Sequence, residues 1–470
     1  MKKTLFFIIL FLSGSSICAQ SMKQKIESAF EAFESDSQMK FASSSLSVLN
    51  AETGAVIYSV NGNEGLASAS TLKAITSATA YYLLGKDFTW ETTLGYSGSI
   101  SANGTLNGDL FITGGGDPSL GSDRFGQSTS ELILQKWTDA LIRSGIKNIR
   151  GQIIADDRLF GTETMPGGWT WQDMGNYYGA GPSSLTWREN QFDLHFKAGK
   201  VGERAELLKT DPELSYLKII NEVKTGQAGT GDNVYAYSAP FSTIVYLRGT
   251  YGIDLKKVIS ASIPDPAFDL AYRFQNKLMS VGIHVDQGAT TARLLEVNRK
   301  PMQQQTQIIS VHTSPALHEI VYWFNQKSIN LFGEHLVKTF AWQQNKDITT
   351  ANGVDFMKSF WNKKIDLESG AINIYDGSGL SPSNRITTMA MSQILQSIRK
   401  EPWFESYIRS FPVINNMKMK SGSINDVIAY TGYHTSSSGI PMVFSFIINN
   451  YQGSSSVIRQ KMFRVLNTLK

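Results

Sequence analysis

The chain has 470 residues, 41% hydrophobic and 18% charged, with 44 Lys and Arg against 40 Asp and Glu. This balance excludes a disordered chain and allows a buried core spread over two or three domains. A net charge of +4, without a long basic run or an aromatic-rich RNA motif, argues against a nucleic-acid partner.

Lys2 and Lys3 precede an apolar run from Leu5 to Leu12, and small or polar residues follow from Ser13 to Ala19. That is the three-part pattern of a secretory signal, with cleavage near residues 19–20. The run is too short to serve as a membrane span, and Ile17 is a poor fit to a lipoprotein signal at Cys18. The expected mature chain is exported, periplasmic and free of cysteine, so burial rather than a disulfide must hold it together.

From about Ser44 to Ser59 the residues alternate as two strands around Glu52-Thr53-Gly54, and Ala74 to Leu84 reads as a buried helix. Ser70 opens that helix. Lys73 stands one turn further on the same face, so its amine can reach the Ser70 hydroxyl. A serine that attacks a carbonyl needs such a base, and the base must be neutral to accept a proton.

Trp90 to Gln303 is turn-rich and strand-rich, with Asn103-Gly104 as a hairpin signal. One helix is expected inside it, with Ser128 and Glu131 as a capping box, Leu134, Trp137 and Leu141 on one face, and Gly145 as its stop. Gly114-Gly115-Gly116 lacks the Gly-Lys-Ser/Thr of a phosphate loop and reads as a tight turn. Trp169 and Trp171 read as core or domain-interface aromatics, with a carbohydrate platform as the sharper alternative. The six histidines are scattered without metal-ligand spacing, so no metal and no cofactor is expected.

Ser314 and Pro315 start a helix whose apolar stripe is Leu317, Ile320, Val321 and Phe324, and a new pattern resumes at Leu331. Ser328-Ile329-Asn330 therefore falls at an interhelical turn. Val427 to His434 and Ile440 to Asn449 read as antiparallel strands, Lys420 to Ser423 runs into the first of them at a sheet edge, and Val457 to Leu469 closes the chain as a helix. Ser70-x-x-Lys73, Ser328-Ile329-Asn330 and Lys420-Ser421-Gly422 are each weak signals alone. In this order and spacing they read as one nucleophilic site, with Lys420 as a second cation that lowers the pKa of the Lys73 amine.

With these motifs the chain resembles the low-molecular-mass class C penicillin-binding proteins, the D-alanyl-D-alanine carboxypeptidase and endopeptidase family. The matching stretches are Ala69 to Lys73, Thr113 to Pro118, Ile153 to Phe160, Gly168 to Trp171, Lys327 to Leu331, Asp376 to Ser381 and Lys420 to Ser423. The resemblance implies an α+β, multidomain architecture: a penicillin-recognising serine transferase fold with an antiparallel sheet flanked by helices, plus inserted β-rich domains. In that scheme residues 21–92 and 304–470 form a discontinuous catalytic domain, and 93–303 the inserted accessory domains.

The resemblance also implies roles. Ser70 is the nucleophile, Lys73 its proton acceptor, Ser328 a proton relay, Asn330 the holder of the substrate peptide carbonyl, and Lys420 with Ser421 the clamp on the terminal carboxylate. Gly422 and Ser423 line the substrate, with the Ser70 and Ser423 amides as oxyanion hole. Asn425 is a neighbouring contact, and Asp156, beside Asp157, reads the amine end of diaminopimelate. The implied activity is serine-type hydrolysis of peptidoglycan stem peptides through an acyl-enzyme. β-Lactam antibiotics act as suicide acylators, and peripheral membrane or cell-wall association is a further option.

Three features depart from the family pattern. Ser421 stands where threonine is more usual, and Pro382 where relatives commonly carry an arginine for the acidic end of the stem side chain; the stretch from Ser381 to Lys420 is also short. The rival readings are a β-lactamase or esterase of the same superfamily and a non-catalytic cell-wall binding protein.

Overall fold

The computed structural model describes residues 22–470, so the expected leader lies outside the described residues. The chain forms two compact units, each assembled from separate stretches. The first takes the chain up to Leu83, Val321–Ser328 and Val354–Lys470; the second takes Leu84–Ile320 and Ile329–Gly353.

The first unit is built on a six-stranded antiparallel sheet. From edge to edge its strands are Val56–Val60, Ser43–Asn50, Pro441–Asn449, Val427–Thr435, Met417–Ile424 and Val413–Ile414. Side chains alternate across each strand, so the two faces differ in size and polarity. One face carries Leu46, Val48, Met419, Tyr430, Phe444 and Phe446, packed on Ile26, Phe30 and Phe33 of the helix over 22–34 and on Ile458, Met462 and Val465 of the C-terminal helix Ser455–Leu466. The other face carries small residues such as Ser45, Ser47 and Ala429. There Thr388, first residue of the helix Thr388–Ser397, meets the hydroxyls of Ser45 at 2.6 Å and Ser47 at 2.9 Å.

The expected hairpin at Glu52 to Gly54 and the buried helix, Lys73–Leu84, are present. Lys420 to Ser423 belongs to a strand of its own, Met417–Ile424, rather than leading into the next one. That strand pairs along its length with Val427–Thr435. On its other side the two-residue strand Val413–Ile414 covers only Met417 and Lys418. The edge from Lys420 to Ser423 therefore has no strand partner among the described residues.

Among the described residues, the second unit contains two large cores and a smaller cluster of Phe111, Ile154, Ala292 and Leu295. A mixed five-stranded sheet, ordered Ala289–Thr291, Ile153–Asp156, Leu110–Gly114, Glu91–Tyr96 and Gln307–Thr313, is covered by the helices Ser130–Arg143 and Pro266–Ser280. A three-stranded and a four-stranded sheet over 191–262 enclose the other core, around Phe192, Leu194, Val245, Leu247 and Tyr251. The helix Ser130–Arg143 is N-capped by Thr129, without the expected Ser128 box. Ser128 is buried and turns its hydroxyl to His312 Nε2 at 3.3 Å, which removes it from the helix end.

A second long helix of this region, Pro266–Ser280, was not anticipated. Its start signals were nevertheless in the chain: Asp265 caps the Phe268 amide at 3.1 Å and Pro266 stands in the first turn. The helix Asn330–Gln343 groups with this unit because buried His335 bonds the Gly116 carbonyl at 2.9 Å and the Thr186 hydroxyl at 2.8 Å. Lys338, fully buried, pairs with Glu163 at 2.8 Å.

Phe446 sits at the centre of the first unit's aromatic packing, with ring centroids 5.8 Å from Phe30 and 5.4 Å from Phe33. Phe446→Ala should lower the unfolding free energy by about 3–5 kcal/mol. In urea the midpoint falls while the slope is unchanged; a loss under 1 kcal/mol would show that this face does not anchor the sheet.

Candidate active site

Ser70 lies on a single 3-10 turn, Ala69–Leu72, that leads directly into the helix Lys73–Leu84. The turn is tightened by the Thr71 hydroxyl, which donates to the Ser68 carbonyl at 2.6 Å. Ala69 has φ +44°, a left-handed conformation that L side chains rarely adopt. Such strain persists only where the surroundings enforce it.

Two backbones enforce it here. A Cβ on Gly379 would come within 1.9 Å of the Ala69 carbonyl oxygen, and one on Gly422 within 2.8 Å of both Ser68 O and Ser70 N. Glycine is required at both positions because main chain is stacked on main chain. The strand Met417–Ile424 and the loop at Gly379 thus clamp the serine turn from two directions.

Lys73 is fully buried, and its Nζ donates to Ser70 Oγ at 2.9 Å and to the Ser378 carbonyl at 2.7 Å. The Phe324 ring lies 5.7 Å away. The Ser378 carbonyl is itself positioned by Asp376, a buried carboxylate that accepts from the amides of Gly379 at 2.8 Å and Ser381 at 2.6 Å and from Asn384 Nδ2 at 2.8 Å. In the sequence Asp376 opens the stretch Asp376 to Ser381. An acid opening a Gly-Ser-Gly turn was the signal that it organises that turn.

Lys420, 2% exposed, donates to Ser328 Oγ at 3.0 Å and to the Ser421 carbonyl at 2.7 Å. Burial pushes its amine down to about 7. Ser328 has φ +57°, so it too is held in a left-handed turn. The preceding helix is fixed by Asn325, whose Nδ2 donates to Ser77 Oγ at 2.9 Å and Ser410 Oγ at 2.8 Å.

The first unit therefore brings together Ser70 with Lys73, Ser328 with Lys420, and the Ser70 turn with Gly422. Ser421 is half-buried on the same strand, Ser423 is exposed, and Asn425 is exposed in the turn after Ile424. Arg385 donates to the Asn384 carbonyl at 2.8 Å and to that of Pro382, so a cation stands beside Pro382 although proline replaces one there.

Asn330 and Asp156 belong to the second unit. Asn330 Nδ2 donates to the Tyr178 carbonyl at 2.8 Å. The Asp156 carboxylate is engaged by Arg158, Nε to Oδ1 at 2.8 Å and Nη2 to Oδ2 at 2.7 Å. Asp157 is buried, and burial, reinforced by Asp265, pushes its carboxyl up to about 7.

Gly422→Ala places a methyl against the Ser68 carbonyl and the Ser70 amide. Acylation of Ser70 by a fluorescent penicillin should slow by about 100-fold or more, the cost of displacing a reacting group by about an ångström. A rate within threefold of wild type would show that the strand does not set the position of the serine.

The D-Ala-D-Ala carboxypeptidase 3 (S13) family matches over residues 26–416. A D-alanyl-D-alanine carboxypeptidase from Actinomadura sp. (strain R39) is 25% identical over 463 residues, covering 93% of this chain and 83% of the relative. The D-alanyl-D-alanine carboxypeptidase DacB of Haemophilus influenzae is 25% identical over 426 residues, covering 86% of this chain and 84% of the relative. The crystal structure of penicillin binding protein 4 from Haemophilus influenzae superposes with a TM-score of 0.76 at 21% identity, over 96% of this chain and 98% of that one. The same protein complexed with a β-lactam gives 0.71 at 20% identity, again over 96% and 98%. The family match spans most of the chain and includes Ser70 and Lys73, and the chain belongs to the D-Ala-D-Ala carboxypeptidase 3 (S13) family.

Proposed function

We propose that Ser70, Lys73, Ser328 and Lys420 carry out the serine-type D-alanyl-D-alanine carboxypeptidase reaction of this family member, with the peptidoglycan stem peptide as substrate. The observation that carries the assignment is the 2.9 Å pair of Lys73 Nζ and Ser70 Oγ, with the 3.0 Å pair of Lys420 Nζ and Ser328 Oγ on the same unit. In the attack, Ser70 Oγ bonds to the carbonyl carbon of the penultimate residue and its proton passes to Lys73 Nζ. The C–N bond then breaks, and Ser328 relays the proton held by Lys73 to the departing amine of the terminal D-alanine, which returns both groups to their starting state. Water hydrolyses the remaining ester and restores the Ser70 hydroxyl. Endopeptidase action shares this acylation and differs only in what the departing amine carries.

Lys420 and the Ser421 hydroxyl take the terminal carboxylate. The amides of Ser70 and Ser423 receive the oxyanion, and Gly422 admits the close backbone approach that such a hole requires. The unpaired edge at Lys420 to Ser423 offers main-chain groups to an extended peptide. Asn330 holds the peptide carbonyl, with Asn425 a neighbouring contact, and the stretches that carry Ser70, Ser328 and Lys420 form the catalytic domain. Asp156 reads the amine of the stem side chain by exchanging Arg158 for it. β-Lactams acylate Ser70 in the same way. We place the enzyme outside the cytoplasm; among the described residues no helix is long and apolar enough to cross a membrane.

Wild-type protein should be covalently labelled by a fluorescent penicillin and should release D-alanine from a D-Ala-D-Ala peptide, and Ser70→Ala should do neither. Labelling of the alanine variant, or none of the wild type, overturns the assignment. The Lys420 ammonium form binds carboxylate, and its amine sits at about 7 in the free enzyme. As pH rises through 7 the charge is lost, so kcat/KM should fall on the alkaline side with a midpoint near 7. Lys420→Arg keeps the charge and should move that limb upward. An unchanged limb in the arginine variant would assign it to another group.

A further inference from the structure

The four-stranded sheet over 218–252 has one face in its core and one in solvent. Val234, Ala236, Val245 and Leu247 point inward. Between them, the opposite face carries Tyr237 directly across from Tyr246, and Tyr235 directly across from Arg248. Trp171, 51% exposed, stands over this face, with its ring edge-on to Tyr237 at 5.1 Å. The Arg248 guanidinium lies 5.8 Å from Trp171, 5.3 Å from Tyr237 and 5.3 Å from Tyr246. Three rings thus surround one exposed cation.

The arrangement is held rigidly. The Thr170 amide and hydroxyl are both bonded to Asp173, and the Ala236 amide donates to Asn176 Oδ1 at 3.1 Å, which pins the Trp171 turn to the strand Asp232–Tyr237. Gly175 lies flat on the Ala236 carbonyl, where a Cβ would come within 2.2 Å. Arg248 Nε donates to Glu222 at 2.8 Å, and its terminal nitrogens have no protein partner among the described residues.

We propose that this face binds the glycan strand of peptidoglycan, an alternating chain of N-acylated amino sugars; the proposal rests on the carboxypeptidase reading for the identity of the polymer. A pyranose offers an apolar C–H face and a polar rim, and exposed indole and phenol rings offer the matching apolar surface with polar tips. The free Arg248 donors fit the acetamido carbonyls at that rim. On the same unit, Tyr178 offers its carbonyl to Asn330 Nδ2, a residue of the proposed reaction. The stem peptide is covalently attached to the glycan, so a glycan held on this unit raises the local concentration of peptide substrate.

The test is co-sedimentation with insoluble peptidoglycan stripped of its stem peptides by an amidase, with Ser70 acylation by fluorescent penicillin measured in parallel. Wild type should sediment with the stripped glycan, and soluble tetra-N-acetylchitotetraose should release it. Trp171→Ala/Tyr237→Ala should sediment at least fivefold less, as should Arg248→Gln, in which the rings are intact. Both variants should keep the wild-type acylation rate, which shows them folded and separates this proposal from the catalytic one. Failure of wild type to sediment, or equal sedimentation by both variants, overturns the glycan site. A self-association in analytical ultracentrifugation that the variants abolish, without glycan binding, would make the face a protein interface and overturns it equally.

Discussion

The first unit is organised around one demand: the Lys73 amine is kept out of water and within 2.9 Å of the Ser70 hydroxyl. A buried amine needs acceptors, because an unsatisfied polar group in a dry site is costly. The Ser378 carbonyl supplies one at 2.7 Å, and the Asp376 carboxylate holds that carbonyl's loop by amide and side-chain donors. The buried acid acts one step removed from the reacting atoms. Ala69 and Ser328, both at positive φ without being glycine, mark where the backbone gives up local comfort for this geometry.

The same demand explains the asymmetry of the sheet. Its aromatic face against the helices over 22–34 and Ser455–Leu466 supplies the apolar burial, so the opposite face can be small and hydroxyl-rich. Small side chains there let helices and turns approach the strands closely. Gly422 is the extreme case, where strand backbone meets the Ser70 turn. An antiparallel sheet with a bare edge invites unwanted pairing. On the side of the Ser70 turn the bare edge is confined to a few residues, in the stretch proposed to receive substrate.

The sequence was most readable where function and local geometry coincide. Ser70 and Lys73 are one turn apart, so spacing alone predicted their meeting. Asn103-Gly104 likewise announced the turn between the strands Ser99–Ile100 and Thr105–Asn107. It was least readable where a tertiary partner overrode a local signal. Ser128 has the composition of a cap but bonds His312, 184 residues away in the chain. Arg158 is only two residues from Asp156, and it is the folded turn that closes its guanidinium on both carboxylate oxygens. Asn330 follows Ser328 by two positions but packs with the second unit, since the burial of His335 and Lys338 is settled by Gly116, Thr186 and Glu163. The alternation in 232–252 marks strands, but only their register places Tyr237, Tyr246 and Arg248 on one outward face.

The two site lysines meet burial with the same kinds of acceptor on different elements. Lys73 donates to a hydroxyl and a carbonyl at the head of a helix, whereas Lys420 donates to a hydroxyl and a carbonyl on a strand edge and has no carboxylate partner among the described residues. Without a counter-ion, burial alone brings the Lys420 amine to about 7, so near neutrality its charge is held at little cost in either direction. In the proposed reaction the missing counter-ion is the substrate's own terminal carboxylate. Binding then favours the ammonium form, and a ligand lacking the carboxylate leaves the site as it was. In that proposal, selectivity for a free carboxylate beside the scissile bond follows from an incomplete ion pair that the substrate completes.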